Sequence, residues 1–474
     1  MPIKVALPKG HLLRKTAALL QRADWGLDEY HSKLSFYHPK SRKFPELVVK
    51  VFHEKDIPIQ VAVGNYDLGI CSLDWLEELL VKYRSSALVK VEDLGYGRSA
   101  LFMAASRFQT LSTLEQVKAW PGIIRIASEY PNLAESFALK NRLSWFSIFP
   151  VWGAADGYPP ENAELALIAG KTADEIGNYG MVPVSKVLDC SAFLIANRDS
   201  WESKDLADVV NSISDALPVS KEPSPPHITQ KQEISGSGLL ETMLEGVVRL
   251  ALPDGHHQPP TVNLLNKTRL AFDDYPSASG NRRPGVNLEG VRIKVIRPQD
   301  MPLQVANGNF DLAITGKDWL TEHLCQFPSS PVRQLLDLGY SRVKLVAVVS
   351  RELAGDDTSA LRELGARQSA PLRIASEYVH IADRYARDNH LGRYRIVPTW
   401  GATEAFLPED ADLLIENTET GRTIARHNLK IIDTVFVSTA CLIGNSDNIS
   451  DTSKSKTVQY IIDELRVAVE ETQQ

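Results

Sequence analysis

Short apolar runs alternate with amphipathic stretches along nearly the whole chain. The runs at 3–7, 47–52, 68–71, 101–105, 123–127 and 192–196 are β-branched or apolar and read as strands. Between them, Asp56, Ser72 and Ser112 stand where helix caps are expected, and Pro58 is tolerated in a first turn. This alternation predicts an α/β fold: a largely parallel sheet with helices on its faces. Ligands of such sheets bind at the carboxyl ends of the strands.

The pattern then repeats, some 244 to 248 residues on. VALPKG at 5–10 returns as LALPDG at 250–255, and DIPIQVAVGNYDL at 56–68 as DMPLQVANGNFDL at 300–312. DLGY at 93–96 returns at 337–340, RIASEY at 125–130 at 373–378, and WGA at 152–154 at 400–402. The order is kept throughout, so two copies of one module are expected, at 1–217 and 240–474. The stretch 218–239 between them, with KEPSPPH and SGSG, reads as an exposed linker. A copy of that size has room for two lobes.

Composition narrows the function classes. With 474 residues, 43% hydrophobic and 23% charged, the chain is of globular type. A formal charge of −7 argues against a broad nucleic-acid face. Lys9, between Pro8 and Gly10, interrupts the first apolar run, so no signal peptide is expected, and no run approaches the ~20 residues of a membrane span. Cys71, Cys190, Cys325 and Cys441 lie far apart without CxxC spacing. Cys71 and Cys441 read as buried thiols, and a reducing cytoplasm is the expected compartment.

Candidate chemistry concentrates at 411–429, ADLLIENTETGRTIARHNL. A strand at 413–415 passes Glu416 and turns through Thr420-Gly421-Arg422-Thr423 into a helix. Free amides and threonine hydroxyls suit a phosphomonoester, and Gly421 lets the backbone approach closely. A carboxylate just before the loop is placed to accept hydrogen bonds from ribose hydroxyls, so the segment describes a ribose-5-phosphate cradle. A plain turn capped by Thr420 would leave the same trace, and only the surrounding motifs separate the two.

In order, those motifs are LPKG, R-x-x-D-x-P, D-L-x-I-T-G-x-D, D-L-G-[FY], I-A-[ST]-E-Y and TGRT. This set resembles the ATP phosphoribosyltransferase family, which performs the first committed step of histidine biosynthesis. Copy two supplies RPQDMP at 297–302, DLAITGKD at 311–318, DLGY, IASEY and TGRT, while copy one has the better opening, LPKGHL at 7–12. The resemblance covers nearly all of both copies. It implies an α/β fold of two tandem copies, each with two lobes like type 2 periplasmic binding proteins, the second lobes near 95–185 and 340–432. It also implies transfer of a phosphoribosyl group from phosphoribosyl pyrophosphate to N1 of ATP. Arg297 and Lys9 would act on the reacting groups. Glu416, Thr420, Gly421, Arg422, Thr423, Asp311, Glu404, Lys317 and Arg342 would bind substrate, with Mg²⁺ neutralising pyrophosphate. A pseudo-dimer within one chain is expected, with higher homo-oligomers and a separate regulatory subunit as further partners; no nucleic acid or membrane is. The rival class is a catalytically silent nucleotide or sugar-phosphate binding protein on the same fold.

The copies differ in complementary ways. Glu416 aligns with Ile168, and TGRT with Thr172-Ala173-Asp174-Glu175, where two carboxylates would repel phosphate. His53 stands where copy two has Arg297, and Ser72 where it has Gly316; conversely Asp254 replaces Lys9. Gly170-Lys171-Thr172 is no Walker loop, since Leu165 occupies its first glycine position. His256 and His257 read as a solvated loop rather than a metal site. Either Lys9 of copy one serves the loop of copy two in a composite site, or copy two works alone. Trp75 and Trp319 read as core, Trp152 and Trp400 as core or ligand contacts, and Glu129 and Glu377 as structural.

Overall fold

Four five-stranded sheets, two in each copy, appear in the computed structural model, which describes residues 2–27, 29–31, 37–83, 87–217, 246–278, 280–446 and 454–473. The expected linker at 218–239 lies outside the described residues. Lobe 1A orders its strands Val48–His53, Lys4–Lys9, Leu68–Ser72, Ala192–Asn197, Leu88–Asp93. Lobe 1B orders them Phe146–Pro150, Ile124–Ser128, Leu165–Gly170, Ser99–Ser106, Met181–Cys190. Copy two repeats both orders. Lobe 2A has Val291–Ile296, Val248–Pro253, Leu312–Gly316, Ala440–Asn445 and Val332–Asp337; lobe 2B has Tyr394–Pro398, Leu372–Ser376, Leu413–Thr418, Val343–Ser350 and Leu429–Ser438.

In each sheet the fourth strand in this order runs against the other four. The chain crosses between lobes twice per copy, and Ser99–Ser106 and Ala192–Asn197 are the strands nearest those crossings, which accounts for the reversed strand. Each expected strand is present, with its ends displaced by no more than three residues. Phe146–Pro150 and Met181–Cys190 were not expected; both are edge strands whose half-buried residues blur the apolar alternation. Thr113, not Ser112, caps helix Leu114–Lys118, because its hydroxyl and the Gln116 side chain form a reciprocal capping box. The last helix, Ser455–Gln473, packs Val458, Ile461, Leu465 and Ala468 into lobe 2A. No helix among the described residues is long and apolar enough to cross a membrane.

The cores ignore the copy boundary. Val5, Phe52 and Leu68 of lobe 1A share one buried cluster with Val346, Phe406 and Leu414 of lobe 2B. Phe102, Tyr158 and Ile176 of lobe 1B share another with Ile296, Met301 and Ala313 of lobe 2A. Each copy's first lobe therefore packs on the other copy's second lobe. The two resulting junctions are built from equivalent segments, Lys50 pairing with Glu409 across one and Lys294 with Glu161 across the other.

Candidate active site

At the first junction, the carboxyl end of strand Lys4–Lys9 brings Lys9 from copy one to the loop strand of copy two. Its ammonium donates to the Tyr37 hydroxyl at 2.9 Å, and the Tyr37 ring stacks on His427 with centroids 4.8 Å apart. His427 closes the short helix Arg422–Arg426 that follows the loop. Burial and the nearby Lys9 charge push its imidazole below its ordinary value.

Three carboxylates of lobe 2B converge here. Glu416 sits inside strand Leu413–Thr418, not beyond its end, and one carboxylate oxygen is sealed from solvent with no hydrogen-bond partner among the described residues. Burial, then Glu404 and Glu377, push its carboxyl well above the usual range, while Thr403 and Lys9 pull it back. Glu377 is pushed up to about 7 by burial and Glu404, with Lys9 again opposing. A half-buried cluster of like charges with an open acceptor has the character of a site awaiting hydroxyl donors or a cation. Glu377 was expected to be structural; its neighbours place it here.

The loop engages two of its amides internally, the Arg422 amide reaching Thr420 at 3.5 Å, and leaves its side chains exposed. Gly421 takes φ +71°, a left-handed conformation that a side chain would strain, and its amide is held by Thr418 at 2.9 Å. Thr420 does not cap the helix: Gly421 holds that position without a side-chain cap, and Thr420, Arg422 and Thr423 are exposed. Lobe 2A forms a second wall. Lys317 opens helix Lys317–Gln326 beside Asp318, whose carboxylate accepts from Tyr378 at 2.8 Å. The Tyr378 hydroxyl in turn accepts from Asn417, the residue after Glu416, at 2.8 Å. Arg342 is exposed just before strand Val343–Ser350.

Two expectations are corrected. Asp311 precedes strand Leu312–Gly316, at the end opposite the site, where it accepts from the Arg249 amide at 2.8 Å and pairs with Lys454 at 3.0 Å. A buried carboxylate so engaged is a structural tie. Arg297 does not join the TGRT loop. It pairs with Asp254 at 2.9 Å and packs against Gly153 of copy one, at the second junction. The motif order along one chain suggested a single site, but the crossed packing of the copies sends this segment to the other one.

That second junction is filled by its own charges. Arg282 pairs with Asp254 at 2.7 Å and with Asp156 at 3.3 Å. In the loop 171–175, Thr172 caps the Glu175 amide at 3.1 Å and the Glu175 carboxylate takes the Lys171 amide at 2.6 Å. The chain thus supplies an anion where the other loop leaves its side chains exposed. Ile168, buried, stands where copy two has Glu416. A cavity of about 250 Å³ remains, lined by Glu129, Tyr130, Asp156, Ile168, Tyr179 and Arg282.

Sequence reasoning missed Tyr37, His427 and Lys55. Lys55, with its ammonium over the Trp75 ring at 4.4 Å, had one visible signal: it aligns with the uncharged Gln299.

The ATP phosphoribosyltransferase family matches residues 53–217 and again 297–467. The ATP phosphoribosyltransferase of Chlorobium phaeobacteroides is 30% identical over 226 residues, 48% of this chain and 73% of that relative. That of Nitratidesulfovibrio vulgaris is 32% identical over 216 residues, 45% of this chain and 69% of the relative. A solved ATP phosphoribosyl transferase (HisG:HisZ) complex from Thermotoga maritima has a chain 22% identical, with a TM-score of 0.39 over 48% of this chain and 100% of its own. Two family matches in one chain, in step with the internal repeat, give the conclusion: this chain belongs to the ATP phosphoribosyltransferase family, as a tandem duplication of its module.

Proposed function

We propose that the protein transfers the phosphoribosyl group of phosphoribosyl pyrophosphate to N1 of ATP, and that it does so at the first junction only. The observation that carries this reading is the Lys9–Tyr37 pair of copy one stacked on His427 of copy two, beside the Glu377–Glu404–Glu416 cluster whose charge Lys9 offsets. In this arrangement the amides and hydroxyls of 420–423 hold the 5-phosphate. The open oxygen of Glu416 accepts from a ribose hydroxyl, and the surrounding carboxylates favour positive charge developing on the sugar. A bond forms between adenine N1 and the anomeric carbon as the anomeric C–O bond breaks. The electron pair leaves on pyrophosphate, and adenine releases a proton to solvent. Lys9, on the copy-one side, offsets the charge of the departing group.

Mg²⁺ belongs to the same reading. Among the described residues no three His, Cys, Asp or Glu side chains form a ligand set. The site therefore fits a cation carried mainly by substrate phosphates and touched by one or two carboxylates, Glu404 and Glu416 being the candidates. Such an ion would add neutralising charge at the diphosphate.

The test is steady-state turnover of ATP plus phosphoribosyl pyrophosphate. Lys9→Ala is expected to lower kcat by roughly 100-fold, the scale of a lost charge-stabilising donor. Thr423→Ala should instead raise KM for phosphoribosyl pyrophosphate about tenfold, the scale of one or two hydrogen bonds. Unchanged turnover in Lys9→Ala would sink the composite site, and an inactive wild type would sink the enzymatic reading.

A further inference from the structure

Resting on that composite reading, we propose that Lys55 is a second cation binding the departing pyrophosphate at the first junction, replacing the positive charge that copy two carries at Arg297. The two copies end equivalent strands, Val48–His53 and Val291–Ile296, with the same turn but exchange the place of its charge. Copy two reads Arg297-Pro298-Gln299; copy one reads His53-Glu54-Lys55. The cation has moved two residues along the turn, in the copy whose turn borders the intact loop.

His53 does not supply that charge. Burial, with Lys55 and Lys9 nearby, pushes its imidazole down to about 4, so it is neutral at ordinary pH. Its Nδ1 faces the Lys55 amide at 3.3 Å, so the ring braces the turn. Arg297, for its part, is neutralised by Asp254 at the other junction.

Lys55 has the geometry His53 lacks. Its stem is largely buried, leaving the side chain 13% exposed, and its ammonium lies 4.4 Å from the Trp75 ring centroid. The ammonium lies between the two junctions: it donates at 3.3 Å to Glu129 of lobe 1B, which lines the second-junction cavity, a long bond to a carboxylate still 34% exposed. Across the junction its charge, like that of Lys9, reaches Glu377 of lobe 2B. The strand that leads into its turn is seated on lobe 2B, with Phe52 edge-on to Phe406 at 5.2 Å between centroids and Lys50 on Asp410 at 2.9 Å, so the turn carrying Lys55 borders that lobe. A diphosphate carries more charge than one half-solvated carboxylate, so exchanging Glu129 for phosphate oxygens is favourable. In the step itself, Lys55 donates hydrogen bonds to the pyrophosphate that takes the C–O electron pair, and no proton is transferred.

A purely structural role would make Lys55 a strut tying lobe 1A to lobe 1B through Glu129. Product inhibition by inorganic pyrophosphate on the whole chain separates the two roles. Lys55→Gln is expected to raise the pyrophosphate inhibition constant at least tenfold with KM for ATP unchanged. Lys55→Gln combined with His53→Arg, which restores the cation at the position it holds in copy two, should recover most of it. Glu129→Gln should keep inhibition as tight or tighter. The assignment is overturned if Lys55→Gln leaves inhibition unchanged, or if Glu129→Gln weakens it equally and the double variant does not recover. Lys9→Ala keeps the underlying reading separate. Unchanged turnover there removes the composite site, whereas a crippled Lys9→Ala beside an unaffected Lys55→Gln removes only the role given to Lys55.

Discussion

Glu377 and Glu129 occupy identical RIASEY segments yet face different charges, and that contrast sets a prediction at the scale of single residues. Glu129 is paired with Lys55, whereas Glu377 is half-buried beside Glu404 and held up to about 7. An unfolded glutamate titrates near 4.5, so between these values the folded protein holds the proton more tightly. Stability from this group is therefore intact below about 4.5 and declines as pH rises toward 7, with the full penalty present above it. Glu377→Gln should stabilise the substrate-free protein at pH 8 by on the order of 2 kcal/mol and do little at pH 4, after discounting the shift for partial solvation. Thermal melts of both proteins across that range check it; an equal effect at both ends would contradict the cluster account. Glu416 and the TGRT loop could be singled out from the sequence because the pattern that marks them is local. The setting of Glu377 could not, since identical segments gain their difference only from what packs across the junction.

At the scale of elements, strands were legible to within a few residues because central strands are buried on both faces and read as unbroken apolar runs. Edge strands, half exposed, were not. Nor does any strand pattern announce its ion pairs. Lys50, in strand Val48–His53, reaches across the copies to Asp410 at 2.9 Å, with Tyr66 on the same carboxylate at 2.9 Å. Its counterpart Lys294, in strand Val291–Ile296, reaches Glu161 at 2.8 Å and Asn162 at 2.9 Å. The two latches look equivalent and are not. Each lysine meets a half-exposed glutamate, Glu409 at 2.7 Å or Glu161, so the difference lies in the second partner: Asp410, 3% exposed, is an uncompensated buried charge without Lys50, whereas Asn162 in its place is neutral. Burial also pushes the Lys294 ammonium down to about 8, so its charge is already weakly held. Lys50→Met should cost about 3–5 kcal/mol and Lys294→Met about 1 kcal/mol, read from urea unfolding. Equal losses would show that the sealed carboxylate adds nothing.

At the scale of the whole molecule, duplication was plain in the sequence, but the crossing of the copies was not. Periodicity says that a face is apolar, never which sheet covers it, so the junctions could only be seen folded. Their asymmetry then sets the number of working sites. One junction combines Lys9, the Glu416 cluster and a loop with exposed side chains. The other has Asp254 neutralising Arg282 and Arg297, Ile168 in place of Glu416, and Glu175 capping its own loop. A phosphate entering there would have to displace a carboxylate that cannot diffuse away, and would meet Asp174 as it did so. Calorimetric titration of the intact chain with phosphoribosyl pyrophosphate should therefore give one site per chain. Gly421→Ala, which forces a side chain into a left-handed turn at φ +71°, should weaken that single isotherm by about tenfold, from roughly 1–2 kcal/mol of backbone strain. Two sites per chain in the wild type, or an unaffected half of the isotherm in the variant, would mean that the second junction still binds substrate and that the copies are redundant rather than complementary.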